Sequence, residues 1–166
     1  LHISIHYGGA YKCHATFFQI GRKFFAFRRF CFRIDSFRGI DDLFKIVKSK
    51  NDKSLKGIFH CFTGTIEQAN KIISLGGFKM GIGGTVTYKK SELPEVLKQI
   101  DIKCIVLETD SPYLTPVPHR GKRNESSYIT FVAQKVAEIK GIFVEEVAEL
   151  TTKNAEEIFG IPSHQN

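Results

Sequence analysis

The chain has 166 residues, 42% hydrophobic and 25% charged, enough for one globular domain with its own core. It is too short for a complete eight-fold β/α barrel of about 250 residues, and no 18-residue apolar run spans a membrane. Four cysteines, Cys13, Cys31, Cys61 and Cys104, form no CxxC pair, which argues against a disulfide framework or zinc knuckle and for a reducing compartment.

The net charge of +7 is unevenly placed. Residues 1–40 hold seven of the 24 basic residues, one of the 17 acidic ones, and half of the aromatics, among them Phe17, Phe18, Phe24, Phe25, Phe27, Phe30, Phe32 and Phe37. No proline precedes Pro94. The composition therefore changes near residue 40, and two segments are expected, 1–40 and 41–166. The first reads either as a basic arm that stacks bases and neutralises phosphates, or as a segment of shifted reading frame without native order, because no sustained period of 3.6 or 2.0 runs through Phe24–Phe37. The opening Leu1 suggests a fragment, and no signal peptide pattern follows it. With no targeting signal, a cytoplasmic location is expected.

From Asp41 the pattern becomes regular. Leu43, Phe44, Ile46 and Val47 share a helical face, with Asp41 and Asp42 in the first turn and Lys48 and Lys50 in the last, as the helix dipole favours. The apolar run 57–62 predicts a buried strand. Thr65 and Gln68 form a capping box for a helix over 66–75, stopped by Gly76-Gly77. A strand over 78–83 and a helix near 92–99, capped by Ser91, come next. A third strand is expected over 103–109. Beyond a Pro-rich loop, Tyr128, Phe131, Val132, Val136 and Ile139 recur at helical spacing up to Gly141. Val144–Leu150 predicts another helix, and Thr152 the cap of a last one ending at Phe159. Strands alternating with helices imply an α/β fold with a parallel sheet.

In such folds, chemistry gathers at the carboxyl ends of strands. His60 and Asp110 occupy two such positions. An imidazole and a carboxylate meeting there suit a divalent cation, Mg, Mn or Zn. Asp110 could also take a proton from water. Each has a plainer reading: a histidine in an apolar strand as a hydrogen-bonded core residue, an Asp before Ser-Pro as a turn opener. Glu108 lies two residues before Asp110, on the same face, as a supporting or buried hydrogen-bonded acid. Cys61 and Cys104 read as small buried apolar residues. The loop 119–125, with Arg120, Lys122 and Arg123, reads as a phosphate-binding turn or a solvated loop.

Four segments, His60-Cys-Phe-Thr-Gly64, Leu107-Glu-Thr-Asp-Ser-Pro-Tyr-Leu114, Pro116-Val-Pro-His-Arg-Gly-Lys-Arg-Asn-Glu125 and Leu150-Thr-Thr-Lys-Asn-Ala155 with Phe159-Gly160, resemble in order and spacing the TatD family of metal-dependent deoxyribonucleases. The resemblance covers about residues 41–161. It implies the second half of a (β/α)8 TIM-type barrel of the amidohydrolase type with C-terminal helices, one or two divalent metal ions, and hydrolysis of phosphodiesters in DNA, often single-stranded. His60 matches the last of the family's metal-binding histidines and Asp110 its aspartate, the latter also the catalytic residue. Arg120, Lys122 and Arg123 would face the phosphate backbone. Ser126 stands where the family usually has proline. The family's HxH pair occurs nowhere in this chain, its Glu has no counterpart, and Asp35 stands where the preceding histidine is expected. The expected function is thus a metal-dependent deoxyribonuclease, impaired in this chain. An inactive remnant, a non-catalytic nucleic-acid-binding module using the basic arm, and an amidohydrolase of small amides are the other readings. Composition carries no oligomeric state.

Overall fold

The computed structural model describes residues 3–6, 12–16, 29–33, 39–51 and 55–161. Asp35 and most of the aromatic stretch before it lie outside the described residues. Six strands form one sheet in chain order: β1 (Ile3–His6), β2 (Lys12–Thr16), β3 (Arg29–Arg33), β4 (Lys56–His60), β5 (Phe78–Ile82) and β6 (Ile105–Leu107). The first three pair antiparallel, and β3 to β6 run parallel. Each parallel neighbour is reached through a helix: α1 (Gly39–Lys50), α2 (Ile66–Ser74) and α3 (Leu93–Gln99). Two more helices follow, α4 (Ile129–Lys140) and α5 (Val144–Phe159). This is the α/β half-barrel arrangement expected from residue 41 onward.

Alternation along the strands assigns side chains to two faces. Phe59, Met80 and Ile105 enter the main core with Ala69 and Ile72 of α2, Val96 and Leu97 of α3, and Val132 and Val136 of α4. Of the α1 positions the sequence singles out, Phe44 and Val47 pack on this core, while the side chains of Leu43 and Ile46 lie outside the described residues. On the opposite face, Ile58 and Val106 form a second cluster with Ile158 and Ala155 of α5. His60 follows Ile58 by two and Glu108 follows Val106 by two. Both polar residues therefore share that second face, at its carboxyl-terminal edge.

The Thr65 capping box forms as expected: the Gln68 amide N–H donates to Thr65 Oγ1 and the Thr65 N–H to Gln68 Oε1. Four elements differ from the sequence reading. The strand over 57–62 ends at His60, because Cys61 turns left-handed (φ 50°) and gives its N–H to Glu108 instead of a strand. The run 103–109 yields only β6, preceded by a 3₁₀ turn over Ile102–Cys104 that Asp101 starts by accepting from the Lys103 N–H. Helix α3 begins at Leu93, and Ser91 Oγ accepts the Leu93 N–H from outside the helix.

The expected break before Thr152 does not occur. No Gly or Pro interrupts the chain there, and Val147, Thr151, Asn154 and Ile158 continue one buried stripe along α5. Thr151 donates its hydroxyl to the Val147 carbonyl one turn back, which satisfies it without ending the helix. Buried Asn154 donates to the carbonyls of Ile102 and Ile105, at 2.9 and 2.7 Å, and ties α5 to the start of β6. No helix among the described residues is long and apolar enough to cross a membrane.

Candidate metal centre

Strand geometry brings three side chains together where β4 and β6 end. His60 Nδ1 lies 3.1 Å from Glu108 Oε2 and 3.8 Å from Asp110 Oδ1. One ligand atom from each of the three falls within 4.8 Å of the others. The Asp110 side chain is 2% exposed and that of Glu108 8%, while His60 at 28% opens toward solvent. The sequence-predicted pair His60 and Asp110 is thus brought together. Glu108, read from sequence as a supporting acid, stands in the same cluster. Its spacing of two from Asp110 was the available signal.

Glu108 is held from both sides. Its Oε1 accepts the Cys61 N–H at 2.6 Å, so the left-handed turn at Cys61, which costs roughly 1–2 kcal/mol for a non-glycine residue, aims a donor at it. Its carboxylate lies across β5 at Gly81, where a Cβ would overlap Oε2. Gly83 is similarly close: a Cβ there would come 3.3 Å from Asp110 Oδ2. Burial pushes the Glu108 carboxyl above the usual range. His60 pulls it down and the charge of Asp110 pushes it further up.

Asp110 Oδ2 is buried with no hydrogen-bond donor among the described residues, and Glu108 Oε2, also buried, has the His60 imidazole nitrogen at 3.1 Å. Such atoms normally have partners, since leaving a buried acceptor unmet costs about 1–3 kcal/mol. One imidazole nitrogen and two carboxylates form a donor set that suits Mg, Mn or Zn. The residues present fit a divalent cation: the three ligand atoms converge, Asp110 Oδ2 has no donor among the described residues, and glycine at position 81 leaves the room that the Glu108 carboxylate fills.

The loop after Asp110 bends back on itself. The Tyr113 N–H donates to the Asp110 carbonyl at 2.7 Å. Asn124, 3% exposed, donates its side-chain amide to Tyr113 O at 2.6 Å and its backbone N–H to Pro112 O. Thr115 Oγ1 donates to Lys122 O. The base of the loop thus adjoins Asp110, with Arg120, Lys122 and Arg123 exposed along it. The Arg120 guanidinium lies 4.3 Å from the ring centroid of Tyr88. Lys122 and Arg123 make no side-chain hydrogen bond or ion pair among the described residues. Tyr88 was not singled out in the sequence. Its hydroxyl donates to Thr115 O at 3.1 Å, and burial raises its pKa.

A family profile described as TatD related DNase matches residues 35–160. This chain belongs to the TatD family. It is 43% identical over 122 residues to the uncharacterized metal-dependent hydrolase YabD of Bacillus subtilis, covering 73% of this chain and 48% of that protein. To the uncharacterized metal-dependent hydrolase YcfH of Escherichia coli K12 it is 39% identical over 121 residues, covering 72% and 45%. The crystal structure of YJJV, a TatD homolog from Escherichia coli K12, superposes with a TM-score of 0.69 at 28% identity, covering 75% of this chain and 48% of that one. A TatD family hydrolase from Entamoeba histolytica gives 0.67 at 27% identity, covering 80% and 50%. The chain spans about half the length of the TatD relatives it matches.

Proposed function

We propose that this chain carries part of a metal-dependent phosphodiesterase site acting on DNA, with His60 and Asp110 as cation ligands and Glu108 as the supporting carboxylate. The observation that carries the reading is the convergence of His60, Glu108 and Asp110, with ligand atoms within 4.8 Å of one another and a buried Asp110 oxygen that has no donor among the described residues. Metal-dependent hydrolases among its relatives support it. A divalent cation held there supplies Lewis acidity toward a phosphoryl oxygen and lowers the pKa of water.

The chain's own residues have distinct tasks. His60, at the end of β4, and Asp110, in the loop after β6, would hold the cation, and Asp110 would accept a proton from the attacking water. Glu108, fixed by the Cys61 N–H, keeps the imidazole ring of His60 in one orientation. Arg120, Lys122 and Arg123 receive the phosphate charge of the substrate, a single strand of DNA.

The test is titration with MnCl2 while following thermal unfolding, together with digestion of 3′-labelled single-stranded DNA with and without chelator. A raised midpoint and chelator-sensitive cleavage are expected. An unmoved midpoint overturns the metal reading. One observation favours a second reading, nucleic-acid binding without turnover: Lys122 and Arg123 are exposed and have no ion-pair partner among the described residues. A raised midpoint with oligonucleotide binding but no cleavage would select it.

A further inference from the structure

The segment Gly83–Tyr88 begins against Asp110 and leads away from the metal centre along the carboxyl edge of the sheet. Between it and the turn at Thr63, three residues beyond His60, lies an open cleft of about 800 Å³. Tyr88, Lys89, Lys90 and Arg120 line it, with the hydroxyls of Thr63, Thr85 and Ser91 and the single acid Glu92. The volume is within the range of small-ligand sites, roughly 300–1,000 Å³.

The cations here differ from four lysines on the helices. Lys71, Lys98, Lys135 and Lys153 each sit within 2.6–2.8 Å of a carboxylate. Lys89, Lys90 and Arg120 are exposed and have no carboxylate partner among the described residues. Arg120 is nevertheless held. Its guanidinium covers the Tyr88 ring, while Tyr88 is fixed through its hydroxyl to Thr115 O. The neighbouring His119 stacks on Tyr128 of the Ser126–Tyr128 turn at 4.3 Å, pinning the loop from its other side. A guanidinium lying on a ring face keeps its N–H edge available, the geometry that grips two phosphate oxygens.

We propose that this cleft is a second phosphate subsite, which holds the sugar-phosphate unit flanking the scissile bond of a single nucleic-acid strand, with Lys89 and Lys90 as phosphate contacts and Tyr88 as the positioning residue for Arg120. The inference rests on the phosphodiester reading of the metal centre. A strand crossing from Asp110 to Lys90 would have its charge met at each step. The lone Glu92 sits at the far wall, beside Ser91 and the start of α3.

The experiment is binding of a fluorescein-labelled oligothymidylate of eight nucleotides, in EDTA, as a function of salt. Removing two phosphate contacts by Lys89→Gln/Lys90→Gln is expected to weaken binding roughly tenfold and to flatten the log–log salt slope by about 1.4. The control Lys135→Gln/Lys153→Gln removes the same charge from α4 and α5 and is expected to stay within about twofold. Tyr88→Leu removes the ring under Arg120 and should weaken binding and flatten the slope by about 0.7, and Tyr88→Phe, which keeps the ring and loses only the bond to Thr115 O, should lose less, with the two variants unfolding at the same midpoint in the apo chain. Equal losses in the two lysine pairs, or no retention of the oligonucleotide at low salt, overturn the subsite. An unchanged Tyr88→Leu overturns the positioning role. Because metal is absent from these measurements, a manganese-raised midpoint with no effect of Lys89→Gln/Lys90→Gln would remove the subsite alone. Loss of oligonucleotide in that variant with no manganese effect would remove the metal reading instead.

Discussion

At the amino end of β6 and along α5, polar groups find protein partners. Asn154 takes two carbonyls, Thr151 one, and the Lys140 ammonium donates to the carbonyls of Leu97 and Ile100 at the end of α3. Lys79 meets both Lys103 O and Glu157. At the carboxyl edge of the same sheet the balance is reversed. Among the described residues, an oxygen of Asp110 is buried without a donor, Cys61 is held left-handed, and three cations line a cleft without carboxylate partners. The first region is closed on itself and contributes stability. The second has unmet demand for positive charge inside and for negative charge along its rim, the demand that a cation and a phosphate strand would meet together.

The sharpest way to break this contrast is to truncate each region. Phe59→Ala in the main core should cost about 3–5 kcal/mol in urea unfolding, since the 1%-exposed ring leaves a cavity. Asn154→Ala should cost about 2–3 kcal/mol, because the Ile102 and Ile105 carbonyls lose their buried donor. At the metal centre the sign is expected to differ. Asp110→Asn removes a buried charge, so it should leave the metal-free chain as stable or raise its stability by about 1 kcal/mol, while abolishing the manganese-induced rise in midpoint. A loss there as large as that of Phe59→Ala would erase the distinction between the regions.

Gly81→Ala sharpens the comparison on geometry alone. The added methyl occupies the place of Glu108 Oε2, so manganese affinity should fall by about an order of magnitude. Unfolding by urea and the manganese midpoint, measured side by side, separate the two effects. The smallest expected effect is in pH. Burial raises the Glu108 pKa above its ordinary 4.5 in the folded chain, so its contribution is full below that value and is lost as pH rises through the folded pKa. The metal-free chain should therefore lose stability relative to Glu108→Gln over that rise. A difference independent of pH would place the Glu108 carboxyl outside the cluster's electrostatics.

Much of the architecture is legible in the order of residues alone. Capping at Thr65, the stop at Gly76-Gly77 and the alternation of apolar strands with amphipathic helices are local signals, and local signals are written in neighbouring residues. His60 and Asp110 are legible for the same reason, as polar residues ending apolar runs. The single helix α5 is not. Thr152 is a competent cap, and only the continued burial of Thr151, Asn154 and Ile158 against β6 and β4 overrides it. The hold of the Cys61 N–H on Glu108, the overlap at Gly81 and the Arg120–Tyr88 stack are hidden as well, because each joins segments many residues apart.

Sequence by itself thus determined the order of elements, the strand ends that carry polar groups and, through four motifs in register, the TatD kinship. Tertiary structure alone decided which of those polar groups are satisfied. Hydrogen-bond saturation depends on what the parallel sheet lays beside a side chain. A missing Cβ on β5 and a turned peptide after β4 settle the surroundings of a carboxylate that follows β6.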